Sequence, residues 1–426
     1  MKVHRMFNRV DVRIGSSPSS SLGLLFLSLG VPGISILIWF SAFYTGDDRN
    51  TLFPVARHSI EATLRYYIRP LEYAVVQLSN MIYLPLWILF SLVFAVTAAY
   101  VSVRTAEIIT EKKFSSSVRP LIISANPLWF YAISQVDTVS QSLCNLAFAI
   151  GLFFLVRLIK ETTRSKANQF GLLINITSTL ILFTKELAIP AALTLVSIAA
   201  WHQLRYRRAN FSYFLSCGIF ISGLLLWIAI KFRFGGMLPE AGGHYNTTPS
   251  LLDIARNTAA IFSFSLTPLP SSFLSFSLLA NVWAATGVAM TLLFFVTLRK
   301  LKWSAHAGYT VLAVLGACFP MFYIHASELY ASMVSSFLIA MFILVLAPRE
   351  AIIWLYGIAL LCCSYLNCFI YYQAESSFVA VLGARQSYSV YSGPNGLFNG
   401  GIPVNTFCAV RSARGVSWVD GKLVCF

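Results

Sequence analysis

The chain is short of charge: of its 426 residues 57% are hydrophobic and only 11% charged, against about 25% charged residues in a typical soluble domain. That deficit excludes a water-soluble fold. Period-two alternation of apolar and polar residues is missing as well, which disfavours a membrane β-barrel and leaves a helical bundle. No Gly-rich phosphate loop ending in Lys-Ser or Lys-Thr occurs, so an ATP-driven pump is not expected. The eight cysteines follow no metal-binding spacing. Six of them, Cys144, Cys217, Cys318, Cys362, Cys363 and Cys368, fall in or beside apolar runs, where a thiol usually behaves as a small hydrophobe. Cys408 and Cys425 lie in the polar C-terminal tail, where they can pair if that tail meets an oxidising compartment.

What the chain has instead is long apolar runs. They extend over roughly 18 to 24 residues, enough at a rise of about 1.5 Å per residue to cross about 30 Å of hydrocarbon. Spans are placed near 21–44, 82–103, 118–135, 139–159, 169–185, 187–203, 210–231, 274–298, 305–323, 331–347 and 351–372. The expected fold is all-α, a polytopic transmembrane bundle of about 11 spans. Residues 1–372 form its membrane domain and residues 373–426 a tail.

The net charge of +15 is explained by where the charges sit. Lys2, Arg5, Arg9 and Arg13 precede the first run; Arg104, Lys112, Lys113 and Arg119, then Arg157, Lys160, Arg164 and Lys166, occupy alternate gaps. Arg205, Arg207 and Arg208, then Arg299, Lys300 and Lys302, and finally Arg349 continue the alternation. Short loops rich in Lys and Arg stay cytoplasmic, so the N-terminus is expected inside and the tail outside. Topology accounts for the basic balance, with anionic membrane lipids as a further partner for it, and nucleic acid is not needed as a partner. The first run has no small-residue cleavage site before Tyr44-Thr45-Gly46-Asp47-Asp48 and reads as a retained span.

Three expected outside segments are long enough for chemistry: 45–81, 232–273 and the tail. The first opens with Asp47, Asp48 and Arg49 where span one ends. Adjacent carboxylates there suit a general base or a divalent-cation site, although a solvated helix exit has the same composition. Ile60, Leu64, Leu71, Val75 and Leu78 then recur at helical spacing, with Glu61, Arg65, Arg69 and Glu72 on another face. This describes an interfacial helix bent or broken near Pro70. Arg65 and Arg69 would sit at headgroup depth, pairing with phosphate or snorkelling to ordinary lipid. In the second segment Thr248-Pro249 suits an N-cap followed by Pro at the first helical position, and Leu251, Leu252, Ala255 and Ala259 make a second interfacial helix. Asp137, the pair Lys185-Glu186, His325 and Glu328 mark other outside turns. Singly each is more often structural, but Asp47, Asp48, Asp137, Glu186, His325 and Glu328 place their titratable groups on one face.

The order of these motifs carries a resemblance that covers most of the chain: Asp47-Asp48, then Arg69-Pro70-Leu71, Gln135-Val136-Asp137-Thr138, Thr184-Lys185-Glu186 and His325-Ala326-Ser327-Glu328-Leu329-Tyr330. It resembles the GT-C superfamily of membrane glycosyltransferases, in the bacterial branch akin to lipid A- and O-antigen-modifying transferases and the protein mannosyltransferases. The resemblance implies an integral protein of a bacterial inner membrane that moves a sugar from a polyprenyl-phosphate donor to a glycan, lipid or protein acceptor. It implies Asp47 or Asp48 as the general base, with the choice between them open. Arg65, Arg69, Asp137, Lys185, Glu186, His325 and Glu328 would contact substrate. A divalent cation serves some relatives, but nothing here has the ligand spacing of a metal site. Unlike some relatives the chain has no large outside domain, and its tail is rich in Gly, Ser and Tyr.

Two other classes share these features. A transporter or flippase would carry its ionisable groups at mid-membrane on broken helices in repeated halves, and no internal repeat is evident. An O-antigen polymerase or ligase would be expected to carry a large late outside loop rich in Arg and His.

Overall fold

The computed structural model describes residues 20–30, 32–35, 69–71, 73–75, 78, 86–133, 138–185, 188–206, 208–234, 250–275, 277–299, 305–319, 328–383, 388–390, 416–419 and 422–425. Helices dominate: α1 (Ser20–Leu29), α2 (Leu86–Thr110), α3 (Val118–Ser124), α4 (Trp129–Ile133), α5 (Thr138–Lys160), α6 (Arg164–Leu182) and α7 (Ile189–Arg205). They continue as α8 (Phe211–Phe234), α9 (Leu251–Leu266), a 3-10 turn (Ser271–Ser275), α10 (Ser277–Leu298), α11 (Ala305–Cys318), α12 (Glu328–Leu346) and α13 (Glu350–Gly383). In the tail β1 (Tyr388–Val390), β2 (Val416–Val419) and β3 (Lys422–Cys425) form a small antiparallel sheet in the order β1-β3-β2. Tyr388 and Val416 both register with Cys425 there. The pairing of Cys408 with Cys425 lies outside the described side chains.

Five helical segments among the described residues are long and apolar enough to cross a membrane: Ile88–Thr110, Val139–Lys160, Phe211–Arg233, Leu278–Leu298 and Glu350–Ile370. Leu25–Ser35, Ala307–Cys318 and Tyr330–Leu346 are apolar but shorter. The remaining expected spans fall below that standard for visible reasons. Helix α6 opens with Arg164 and Lys166 and carries Asn168 and Asn175, and α7 has 17 residues.

At the centre lies α5, packed between α2 and α6 and touching α12. Its spanning window is 67% buried against 22% for α8 and for α10, so the latter two are peripheral and their exposed apolar faces, Phe211 and Leu278 among them, suit contact with lipid. Small residues let helices close up. Gly316 of α11 faces Thr194 of α7 with no room for a Cβ, and a Cβ on Gly171 of α6 would meet the Tyr213 ring of α8 at 2.6 Å.

One end of this bundle is basic and laced together. Buried Glu107 near the end of α2 accepts the Phe114 N–H at 3.0 Å and the Arg119 guanidinium at 3.0 Å, and pairs with Arg104. Lys112 Nζ donates to the Leu344 carbonyl near the end of α12 at 2.8 Å, and Lys160 Nζ to the Ile108 carbonyl of α2 at 2.8 Å. Cations thus meet helix C-termini, where the dipole favours them. Arg164 reaches the Ala209 carbonyl at 3.0 Å and Arg208 the Glu161 carbonyl, so the 161–163 and 206–210 connections join the same end. Helices α2 and α12 both finish here on left-handed non-glycine residues, Glu111 (φ 58°) and Ala347 (φ 48°).

Two expectations are corrected. The run 118–135 is not one span: it breaks after Ser124 and resumes at Trp129, because Pro127 lacks an amide proton and disfavours helical backbone at Asn126. The break is held by its neighbours. Asn126 Nδ2 donates to Ser335 at 2.8 Å and Ser336 at 3.0 Å in the middle of α12, while Asn126 Oδ1 accepts the Leu128 N–H at 2.9 Å. The carbonyls freed by the break are taken by side chains: Ser124 O by Trp129 Nε1 at 2.8 Å, Asn126 O by Ser364, and Pro127 O by Asn367 Nδ2 at 3.1 Å. Each left unmet in hydrocarbon would cost several kcal/mol, so these contacts are a condition of the break.

The second correction concerns 251–266. The helix starts two residues after the expected first helical position, Pro249, with Ser250 as N-cap in a reciprocal capping box with Asp253. Nor does it lie wholly in the interface. Ile261 to Leu266 are buried, with Phe262 against Phe294 at 5.2 Å and Phe264 against Trp283 at 5.2 Å. Those pairs make α9 antiparallel to α10, so its capped end points toward the basic end where α10 finishes.

Candidate functional site

At the opposite end, three of the expected outside turns are anchored by the described residues. The first is the 183–188 turn between α6 and α7. Its chain is folded back by the Thr184 N–H on the Ile181 carbonyl at 3.1 Å and the Ala188 N–H on the Lys185 carbonyl at 3.0 Å. Lys185, only 4% exposed, thereby turns inward, and its Nζ lies over the Tyr330 ring at 5.9 Å from the centroid. A desolvated ammonium over an aromatic face is worth about 2 kcal/mol.

The second turn is the start of α12, where Glu328 occupies the first helical position and is half-buried. A carboxylate there is favoured by the positive end of the helix dipole. The third is the junction between α4 and α5. Ser142 Oγ donates to the Ala132 carbonyl at 2.7 Å, tying the end of α4 to the first turns of α5 on either side of 134–137. From α5 a donor chain runs to α12: Gln141 Nε2 to Asn145 Oδ1 at 2.8 Å, then Asn145 Nδ2 to Ser332 Oγ at 3.0 Å. Ser332 is two residues beyond Tyr330, so this chain links the first turns of α5 to the stretch of α12 that carries the Lys185–Tyr330 contact.

Of the residues expected to act, Asp47, Asp48, Arg65, Asp137, Glu186 and His325 lie outside the described residues. Lys185 is brought against the Glu328-Leu329-Tyr330 segment. Arg69 is 7% exposed and is therefore enclosed by protein. Helical residues follow it from Pro70, with the Tyr73 N–H on the Arg69 carbonyl at 3.1 Å. Among the described residues no group of three or more His, Cys, Asp or Glu side chains is placed to hold a metal ion.

Sequence reasoning passed over Gln141 and Asn145, although two amides one helical turn apart in an apolar run are a visible signal. Chemically, this end of the bundle offers a buried ammonium and the N-termini of α5, α7 and α12, all partial positive charges suited to an anionic group. No known protein family, characterised protein or solved structure matches the chain.

Proposed function

We propose that the chain is an integral membrane glycosyltransferase of the GT-C type, moving a sugar from a polyprenyl-phosphate donor to a glycan, lipid or protein acceptor. The observation that carries the reading is the Lys185–Tyr330 contact, which joins two of the motifs behind the resemblance at the end opposite the basic one. In this reading about eleven segments cross a bacterial inner membrane, the basic end is cytoplasmic and the tail lies outside.

The chemistry follows from the charges. Asp47 or Asp48 takes the proton of the acceptor hydroxyl as its oxygen attacks the anomeric carbon. The anomeric C–O bond to phosphate breaks with inversion, and polyprenyl phosphate leaves carrying the electron pair. Lys185 and the N-termini of α5 and α12 meet the charge growing on that phosphate. A divalent cation, where one takes part, would draw on the same two aspartates.

The transporter or flippase reading has one observation in its favour, the break between α3 and α4 at mid-membrane. Its carbonyls, however, are bonded to Trp129, Ser364 and Asn367 and so are committed to the protein.

The test is sugar transfer in membranes holding wild type, Asp47→Asn or Asp48→Asn at matched expression, with extracted polyprenyl-phosphate sugars as donors. Loss of transfer in one variant while the protein stays in the membrane supports the reading. Full activity in both moves the base elsewhere, and no transfer by wild type from any donor favours transport.

A further inference from the structure

Helices α10 and α11 are consecutive, yet each packs on a different neighbour: α10 on α9, and α11 chiefly on α7. Between them, floored by α12, lies a cavity of about 110 Å³. Phe262 of α9, Phe294, Phe295 and Leu298 of α10, and Leu338 and Met341 of α12 form most of one side, with Val311 and Leu315 of α11 facing them. Thr258 also lines it, but its hydroxyl is spent on the Ile254 carbonyl at 2.7 Å. An apolar hollow of this size stays dry and takes hydrocarbon: an engineered cavity of about 150 Å³ binds benzene.

Two features decide what enters. Phe295 and Leu315 are lining residues and also among the exposed apolar side chains, 46% and 42% exposed. The cavity therefore opens on the outer surface of the bundle, which in a membrane faces lipid tails. It also sits at the basic end, since Ile109 and Leu298 of its wall are the last or nearly last residues of α2 and α10. Arg299, exposed, follows Leu298 directly, and the chain continues Lys300-Leu301-Lys302.

We propose that this cleft binds an anionic glycerophospholipid, with a short stretch of one acyl chain in the cavity and the phosphate beside Arg299. The lipid fills the gap between α10 and α11 and fastens them to α12. The site lies at the end opposite Lys185 and Tyr330, so the proposal does not depend on the transferase reading, and its occupant is distinct from a sugar donor.

The test uses the full chain purified in zwitterionic detergent and incubated with phosphatidylglycerol, phosphatidylcholine of the same acyl chains, or a polyprenyl phosphate, with bound lipid counted by native mass spectrometry. Wild type is expected to retain phosphatidylglycerol about fivefold better than phosphatidylcholine, the preference of roughly one cation near a phosphate. Arg299→Gln brings that ratio to about one without reducing total lipid, while Val311→Phe, which fills the cavity, abolishes retention of both. Ala307→Leu is the second filling variant should Val311→Phe fail to fold. Equal retention of both phospholipids by wild type, or unchanged retention in a folded filling variant, overturns the proposal. So does displacement of phosphatidylglycerol by equimolar polyprenyl phosphate, which would mark the cleft as a donor-tail site.

Discussion

Lys185 Nζ lies 5.9 Å from the centroid of the Tyr330 ring, although 144 residues of chain separate them. The contact fixes a buried cation where the proposed leaving phosphate needs one. Lys185→Ala should therefore lower transfer by about a hundredfold, the usual loss for one charge-stabilising donor. Tyr330→Phe keeps the ring face and should keep most activity, whereas Tyr330→Leu should not. Initial rates at matched expression check all three, and undiminished transfer by Lys185→Ala would remove the lysine from the site.

Asn126 serves α12 and its own chain at once. Asn126→Leu leaves the Ser335 and Ser336 hydroxyls and the Leu128 amide without that partner in a buried setting, where each orphaned group costs about 1–3 kcal/mol. A marked fall in melting temperature in detergent is expected. Asn367→Leu, which frees the Pro127 carbonyl and the Ser272 amide, should fall by a similar amount. A melting temperature unchanged in both would mean that the break supports itself.

How much of this was legible in advance varied with the element. The spans at 139–159 and 210–231 match α5 and α8 within a few residues, because unbroken apolar composition is all that such helices need. The break within 118–135 was harder to see. From Leu121 to Ile133 its residues are mostly apolar, and Asn126-Pro127 is the main hint at an interruption whose stability depends on Ser364 and Asn367, over two hundred positions away. Hydropathy likewise could not say whether 251–266 rests on the bundle or enters it, since Phe262 and Phe264 suit either lipid or the rings of Phe294 and Trp283. For the site, the order of short motifs named Lys185 and Glu328, while Gln141 and Asn145, visible as a pair of amides in an apolar run, acquired a partner only when α5 met α12.

The Glu107 cluster predicts an asymmetry. Its carboxylate side chain is 3% exposed while Arg104 and Arg119 are 35% and 29% exposed. Arg119→Gln leaves Arg104 and the Phe114 amide in place and should destabilise by under about 1 kcal/mol. Glu107→Leu strips all three donors of their acceptor and should cost about 3 kcal/mol. Thermal unfolding of both variants tests the ordering, which a reversed result would refute.

Ala347 holds a left-handed backbone at φ 48° just beyond α12, with its amide on the Ile343 carbonyl at 2.8 Å. That conformation costs an L-residue about 1–2 kcal/mol, so Ala347→Gly should raise the melting temperature, contrary to the usual effect of adding glycine. Ala347→Val should lower it.

At the N-terminus of α9 the Ser250 side chain, and then its amide, hydrogen-bond the Asp253 carboxylate and hold it below the ordinary Asp value of 3.8. A lowered carboxylate stabilises the fold fully above the unfolded value and loses that contribution as pH falls through the folded one. Amide protection over 251–255 should therefore drop on acidification below about pH 4. In Asp253→Asn the acid-dependent part of that drop should vanish.

The last helix carries a mechanical consequence. At 34 residues α13 is about 51 Å long, some 20 Å more than a hydrocarbon layer is thick. Its membrane-buried stretch is gripped through Ser364 and Asn367 by the broken segment, while its far end leads to the sheeted tail. A rod clamped at one part converts rotation into travel: Gly383 lies 16 residues beyond Asn367, roughly 25 Å at the helical rise, so a tilt of about 5° at the clamp moves the tip by about 2 Å. A small adjustment around Asn126 would thus arrive at the tail as a displacement of about 2 Å, more than the length of a covalent bond.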